Sequence, residues 1–200
     1  MSPKKRIDKD TVIRTAAAIL EKGGADGLSL TRLAEKLGIQ TPSLYNHIDG
    51  LAGLQRELSL LSARNLANRM EQAAIGRSGS QAILAIAQAY REYIKSAPAL
   101  YQYTLRASGN RTQKDPELEA VEERSVRIVL VVVESFGLRG DDAIHAVRGL
   151  RSLIHGFASL EVAGGFGMPL DCDESFRRLL EIYIRGLPDS STAQAGGLSF

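Results

Sequence analysis

The feature that most constrains this chain is the spacing of its apolar residues, which recur at intervals of three and four along nearly all of its 200 residues. That spacing puts apolar side chains on one face of an α-helix, whereas strand-like alternation and hairpin pairs such as Asn-Gly are missing. We therefore predict an all-α fold. The aliphatic run from Ile128 to Val133 also suits a buried strand, but the helical pattern extends back to Pro116 and a lone strand would have no partner.

Residues that start and stop helices divide this pattern into nine segments. Ser29 suits the N-terminal cap of a short helix that Gly38 ends, and Pro42 is tolerated in the first turn of the next helix, where its missing N–H would be unpaired anyway. The predicted helices span residues 8–22, 30–36, 40–47, 50–74, 81–96, 99–107, 116–136, 141–163 and 172–186.

Composition excludes several classes of protein. The net charge is only +2, and no apolar run approaches the roughly 18 residues of a membrane-spanning helix, so we expect no membrane association. The basic start is followed by Asp8, Lys9 and Asp10 instead of an apolar stretch, and is therefore not a secretory signal. Cys172 is the single cysteine, which excludes an intrachain disulfide and fits a reducing, cytoplasmic setting.

Enzymatic motifs are missing from the sequence. There is no Gly-x-Ser-x-Gly elbow, no phosphate loop ending in Gly-Lys-Ser/Thr, no His-Glu-x-x-His and no cysteine cluster. His47, His145 and His155 are scattered, and the glycine-rich run 164–167 follows a predicted helix instead of a strand, which does not suit a nucleotide. We expect no enzymatic activity, no cofactor and no metal site.

The segment from Leu28 to Ile48 has the pattern of a helix-turn-helix. Its apolar residues bury two successive helices around a Gly38-Ile39 corner; they are Leu30, Leu33, Ala34, Leu37, Leu44 and Ile48. The remaining side chains are hydrogen-bonding and suit base edges and phosphate oxygens; they are Gln40, Thr41, Ser43, Tyr45, Asn46 and His47. An αα-hairpin with a polar face has the same pattern, but the helix lengths and the tight glycine corner favour a DNA reader.

These residues resemble the tetracycline-repressor (TetR) family of transcriptional regulators. The shared set, in order, is Ala16, Ile19-Leu20, Gly27 to Thr31, Leu33-Ala34, Leu37-Gly38 and Ser43 to Ile48. A second stretch is similar to the C-terminal ligand and dimerisation domain of the WHG type, although the chain has no tryptophan; it comprises His155-Gly156-Phe157, Leu160-Glu161 and Gly164 to Gly167.

The resemblance implies a homodimeric repressor that binds a near-palindromic operator and is released by a small molecule. It implies a three-helix helix-turn-helix module in residues 1–50, joined by a long helix to a helical ligand-binding and dimerisation domain in residues 51–187. Ser, Thr, Gly and Ala dominate residues 188–200, and this composition predicts a flexible tail there. The rival interpretation is a helical carrier or sensor of small hydrophobic molecules without DNA function.

The same resemblance assigns DNA contacts. Tyr45 and His47 would face the backbone or a base, and Thr31 would meet phosphate, while Gln40, Thr41, Pro42 and Ser43 would face the groove. Where the family commonly has a lysine, at the entry to the fourth helix, this chain has Leu51. Because of that departure, we expect Lys4, Lys5 and Arg6 to make more of the phosphate contacts. A basic run of this kind, taken by itself, ordinarily indicates only a solvated chain terminus.

Small residues form one stripe along the predicted helix 141–163, and such a stripe lets a second backbone approach closely. With the last helix it could form a four-helix bundle across a two-fold axis, whereas the alternative is an interior helix of a monomer. The predicted interface comprises Gly149, Ser152, Gly156, Ser159, Phe176, Leu180 and Tyr183.

Aromatic side chains with polar tips suit a mostly apolar effector chamber, although an ordinary helical core uses the same residues. The candidate contacts are Tyr90, Tyr93, Tyr101, Tyr103, Arg106, Phe136 and His155. The core interpretation is the ordinary one residue by residue, and the expectation of a chamber comes from the family.

Overall fold

The computed structural model describes residues 7–24, 27–109 and 115–188, without the side chains of residues 106–109. Within these ranges all regular structure is helical, and the all-α prediction is confirmed. The run from Ile128 to Val133 lies inside a helix and forms no strand. The helices are α1 (Lys9–Gly23), α2 (Leu30–Leu37), α3 (Thr41–Leu44), α4 (Gly50–Ala74), α5 (Gly79–Ser96), α6 (Pro98–Gly109), α7 (Pro116–Glu134), α8 (Gly140–Val162) and α9 (Cys172–Arg185).

Two predicted helices are too long at their C-terminal ends. α3 ends at Leu44 instead of His47, because the next amides bond three residues back, from Tyr45 N to the Pro42 oxygen and from Asn46 N to the Ser43 oxygen at 3.3 and 3.4 Å. α7 ends at Glu134 instead of Phe136, whose amide bonds the Val133 oxygen at 3.1 Å. Such three-residue turns are the usual way in which a helix tightens at its end.

The chain forms two compact units. Unit 1 comprises residues 1–64 and 97–119, and unit 2 comprises residues 65–96 and 120–200, so α4 and α7 each contribute to both. Unit 1 therefore extends the helix-turn-helix with the first half of α4 and with α6.

The core of unit 1 is built from the apolar faces of α1 to α4 and of α6. Ala16 and Leu20 of α1 are fully buried, as are Leu33 of α2 and Leu44 of α3. Leu54 and Leu58 of α4 and Leu100 of α6 complete the same cluster. These positions repeat at intervals of three and four within each helix, as an amphipathic helix requires.

In unit 2, α5 packs against both α8 and α9. Ile83, Ile86 and Tyr90 of α5 are buried, and so are Leu150 and Ile154 of α8. No helix in the described part of the chain is long and apolar enough to cross a membrane.

Candidate nucleic-acid interface

The corner between α2 and α3 is shaped by local hydrogen bonds. Ser29 Oγ accepts a bond from Arg32 N at 3.2 Å and caps α2, as its sequence position predicts. At the other end Gly38 adopts a left-handed conformation, with φ +69°, while Ile39 N donates to the Ala34 oxygen at 3.0 Å. A glycine is favoured there because a Cβ disfavours this conformation.

Buried apolar residues hold the corner against the rest of unit 1. Leu33, Ala34, Leu44 and Ile48 all lie in its core. Since these four anchors point inward, the polar residues between them point outward. The spacing of the apolar positions therefore decides which side chains remain available to a partner.

The predicted groove-facing residues gather around α3. Tyr45 is 60% exposed, and Gln40, Pro42 and Asn46 are exposed as well. Thr41, Ser43 and His47 are half-buried, and Thr31 is exposed in the first turn of α2. Tyr45 to His47 lie in the turn that follows α3 and not in the helix itself. The structure thus brings the central predicted contacts together on one short segment.

The entry to α4 differs from the family pattern in chemistry. Leu51 is 44% exposed and offers no charge, so it cannot donate to phosphate through its side chain. The first turn of a helix nevertheless carries backbone N–H groups without helical partners. α4 begins at Gly50, whose φ is +66°, and residues 45–49 connect it to α3.

The predicted basic arm of Lys4, Lys5 and Arg6 lies outside the described residues. The described chain begins at Ile7, which packs against the core of unit 1. Two residues on, Lys9 Nζ pairs with Glu57 Oε1 of α4 at 2.7 Å.

The predicted effector contacts fall into both units, and most are core residues. Tyr90 and Tyr93 are buried in unit 2, where Phe136 and His155 are half-buried. In unit 1, Tyr101 and Tyr103 are buried, and the side chain of Arg106 is outside the described part of the chain. Unit 2 also has an open cleft of about 310 Å³, but other residues line it, namely Asn68, Arg69, Gln72, Ala89 and Glu92.

Two of these effector candidates have described partners in unit 2. The Arg69 guanidinium lies 5.4 Å from the centre of the Tyr93 ring. His155 Nδ1 lies 3.3 Å from Ser159 Oγ. Burial and the nearby charge of Arg151 lower the pKa of His155, so its neutral form is favoured near pH 7.

The predicted dimer residues divide between surface and core. Gly149 and Ser152 are exposed on α8, and Gly156 and Ser159 are half-buried. Phe176 and Leu180 of α9 are only 1% and 2% exposed, so both face the core of their own protomer. The large apolar side chain that α9 presents to solvent is Ile182, which is 61% exposed.

Tyr183 joins the two helices within the protomer. Its hydroxyl donates to the Ala146 oxygen of α8 at 2.7 Å, and burial raises its pKa to about 12. A Cβ built on Gly149 would lie 3.5 Å from the Tyr183 ring, an ordinary contact. An alanine at position 149 would therefore fit against Tyr183, and the packing of α9 on α8 does not itself require a glycine there.

An ion pair in unit 2 between a buried arginine and a half-buried glutamate was not predicted. Arg91 of α5 is 1% exposed, and its Nε and Nη2 donate to the two Glu161 oxygens at 2.7 Å each. Asp173 Oδ1 lies 2.8 Å from Nη1. Although burial opposes its charged form, hydrogen bonds to Glu161 and Asp173 raise the pKa of Arg91. Arg91 and Glu161 are 70 residues apart, so no local motif could have revealed the pair.

Comparisons with known proteins agree with these features. Residues 83–183 match the family described as "Tetracyclin repressor-like, C-terminal domain". The chain is 32% identical over 188 residues to the uncharacterised HTH-type transcriptional regulator YobS of Bacillus subtilis, covering 94% of this chain and 96% of YobS.

Solved structures share the fold. A protein of unknown function from Rhodococcus sp. RHA1 superposes with a TM-score of 0.81 at 22% identity, covering 94% of this chain and all of that one. A variant of TetR from Acinetobacter baumannii AYE, in complex with minocycline, superposes with a TM-score of 0.67 at 22% identity, covering 90% of this chain and 96% of that one.

Proposed function

The chain belongs to the TetR family of transcriptional regulators, and from this membership we propose that it is a repressor that binds operator DNA as a homodimer and is released by a small molecule. The observation that carries the proposal is the exposed polar segment from Gln40 to His47, held on the buried anchors Leu44 and Ile48. Rigidly placed hydrogen-bonding side chains of this kind suit base edges in a major groove.

We infer that phosphates are bound by backbone and side-chain groups around the helix-turn-helix. Thr31 and the free N–H groups of the first turn of α2 supply one contact, and the first turn of α4 supplies another through backbone N–H groups alone. Because Leu51 adds no charge there, Lys4, Lys5 and Arg6 supply the remaining positive charge. Removing residues 1–6 should weaken binding similarly for all DNA sequences and should flatten its salt dependence.

The dimer in this proposal uses the small residues of α8, two of them exposed and two half-buried. Gly149, Ser152, Gly156 and Ser159 lie on one stripe that a second backbone could approach closely. In this proposal Tyr183, which bonds α8, lies at the edge of the interface. Phe176 and Leu180 are buried in the protomer and contribute only by packing beneath this face. Two copies carry two α3 segments, so the operator should have two half-sites about one helical turn apart.

The effector site in this proposal lies among the buried aromatic residues. Tyr90, Tyr93 and Phe136 offer apolar rings, and His155 offers a neutral imidazole. Tyr103 and Arg106 of α6, which the resemblance also assigns to the effector, belong to unit 1 and are not included in this site. The minocycline bound by the structural neighbour from Acinetobacter baumannii is consistent with a small-molecule site in this fold. Because a bacterial chromosome lies in the cytoplasm, a bacterial-type regulator that binds operator DNA acts in the cytoplasm, and we propose this location for the protein.

A gel-shift assay with the DNA upstream of the protein's own coding sequence tests the proposal. The native protein should bind in a sequence-selective and salt-sensitive way, whereas a carrier without DNA function should not. The double variant Tyr45→Ala with His47→Ala should lose this binding and stay dimeric by light scattering. Gln72→Ala, an exposed polar change in unit 2, is the matched control and should bind normally. Loss of the dimer in the double variant would contradict the assignment of these two residues to DNA.

A further inference from the structure

A single carboxylate connects the first helix to the start of α6. Glu21, in the last turn of α1, accepts hydrogen bonds from Leu100 N at 2.7 Å and from Ala99 N at 3.3 Å. The first N–H groups of a helix have no partner inside it, and Pro98, the first residue of α6, has no N–H at all. Glu21 therefore takes the first two backbone donors of α6, at the positive end of its dipole.

α6 is also bonded to α4. Ser59 Oγ donates to the Tyr103 oxygen at 3.1 Å, and Ser62 Oγ lies 2.6 Å from Thr104 Oγ1, with both contacts buried. Leu100 and Tyr103 belong to the same apolar core as α1. α6 is thus bonded to the two helices that flank the helix-turn-helix, at its amino end to α1 and in its middle to α4.

These two attachments differ in kind. The contacts to α4 are buried hydroxyl bonds supported by apolar packing. The polar contact to α1 consists of one carboxylate on an exposed residue and two backbone amides, beside the apolar packing of α1 on α6. One side-chain change can therefore remove this polar contact and leave the packing in place. Charge-assisted bonds of this type are short, strong and geometrically demanding.

We propose that Glu21 is the positioning residue that couples α6 to the operator-reading helices. Its carboxylate holds the amino end of α6 at one place on α1, so a displacement of α6 moves α1, and α1 held on DNA restrains α6. This inference rests on the proposed function, because it needs a protein that binds operator DNA.

Coupling between two sites is reciprocal, so it can be measured from the DNA side without knowing the effector. The probe is a duplex that carries the operator recovered from random-sequence DNA by selection on the native dimer. Hydrogen exchange of the Ala99 and Leu100 amides is followed with and without this duplex. In the native protein the operator should slow exchange of these amides by about fivefold, the lower end of the couplings usual between two sites.

Two variants of Glu21 separate this role from simple loss of charge. Glu21→Gln and Glu21→Ala remove the same negative charge, but glutamine keeps a carbonyl oxygen that can accept from Leu100 N. In Glu21→Ala the operator should slow exchange of the Ala99 and Leu100 amides clearly less than in the native protein, because only the buried contacts to α4 and the apolar packing remain. Glu21→Gln should retain more of the effect than Glu21→Ala. Asp171→Ala, which removes the side-chain cap of α9, is the matched control for the loss of a helix cap and should leave the effect intact.

The possible outcomes distinguish this inference from the proposed function. If the native protein binds the selected operator but exchange of Ala99 and Leu100 is unchanged, the coupling role of Glu21 is wrong and DNA binding stands. Equal effects of the operator in Glu21→Ala and in the native protein would also overturn it. If selection recovers no preferred sequence, the proposed function fails first, and this inference fails with it. Should Glu21→Ala fold poorly, the native protein and Glu21→Gln still decide the question, because an undiminished operator effect in Glu21→Gln contradicts a role for the carboxylate.

Discussion

Replacing Arg91 by Met should lower the free energy of unfolding by about 3 kcal/mol, because it leaves the Glu161 carboxylate without its bidentate partner. Removing one member of a buried ion pair usually costs about 3–5 kcal/mol. The lower end applies here because Lys95 Nζ, at 2.6 Å from Glu161 Oε1, remains to pair with the carboxylate. Met is unbranched and replaces the Arg91 side chain about as far as Nε, so it fills most of the same path with apolar atoms but does not reach the guanidinium position over Phe157 and Phe176.

The reverse change, Glu161→Leu, should be at least as costly. It leaves a guanidinium that is 1% exposed with Asp173, whose side chain is 76% exposed and therefore a weaker partner. The double variant Arg91→Met with Glu161→Leu removes both charges and should recover most of the loss, since apolar residues often replace a buried ion pair at little cost. Urea unfolding measures the stability of all four proteins, at one fixed protein concentration because the stability of the proposed dimer would depend on concentration.

The refuting results are specific. If each single variant loses less than about 1 kcal/mol, the pair carries no more than an exposed salt bridge does, and the burial of Arg91 is of no energetic consequence. If the double variant loses the sum of the two single losses, Arg91 and Glu161 do not interact in the folded protein.

Three further predictions concern the corner, the ion pair and the dimer. Gly38→Ala should destabilise the protein by about 1 kcal/mol in thermal unfolding and weaken operator binding. The reason is the left-handed backbone, which opposes a Cβ although no atom lies within 4 Å of an added Cβ. Gly38→Asn should be less destabilised, because asparagine adopts this conformation more readily. The hydrogen bond from Arg91 lowers the pKa of Glu161, so the ionised carboxylate stabilises the fold at pH values above 4.5, its pKa in the unfolded chain. This stabilisation is lost as the pH falls below 4.5. The free energy of unfolding of Glu161→Gln should therefore change less with pH in this acid range than that of the native protein. Gly156→Ala should stabilise an isolated protomer by about 1 kcal/mol through helix propensity, because the new Cβ meets no atom within 4 Å. In the proposed dimer the same Cβ should raise the dissociation constant. Unchanged dimerisation in sedimentation experiments would show that Gly156 is not in the interface.

Local sequence determined the helices and the corner of the helix-turn-helix in unit 1. The apolar spacing of α1 and α2, the Ser29 cap and the Gly38 corner all act within a few residues along the chain. Periodicity and caps are properties of a single helix, so they can be identified before any tertiary contact is known. The same reasoning assigned the Ile128 to Val133 run to a helix, because a pattern of that length outweighs the strand preference of its β-branched residues.

Tertiary structure alone decided which faces of α9 are buried and which partners lie far apart in sequence. Phe176 and Leu180 were predicted for the dimer interface, yet both are buried within the protomer, because a helix with apolar residues on more than one side does not indicate which side its own fold uses. The bonds of Arg91 to Glu161 and of Glu21 to Leu100 join residues 70 and 79 positions apart. A charged residue in a sequence pattern is ordinarily interpreted as solvated. Only the packing of α5 on α8 gives Arg91 its partner Glu161, and only the packing of α1 on α6 places Glu21 at the backbone amides that it caps.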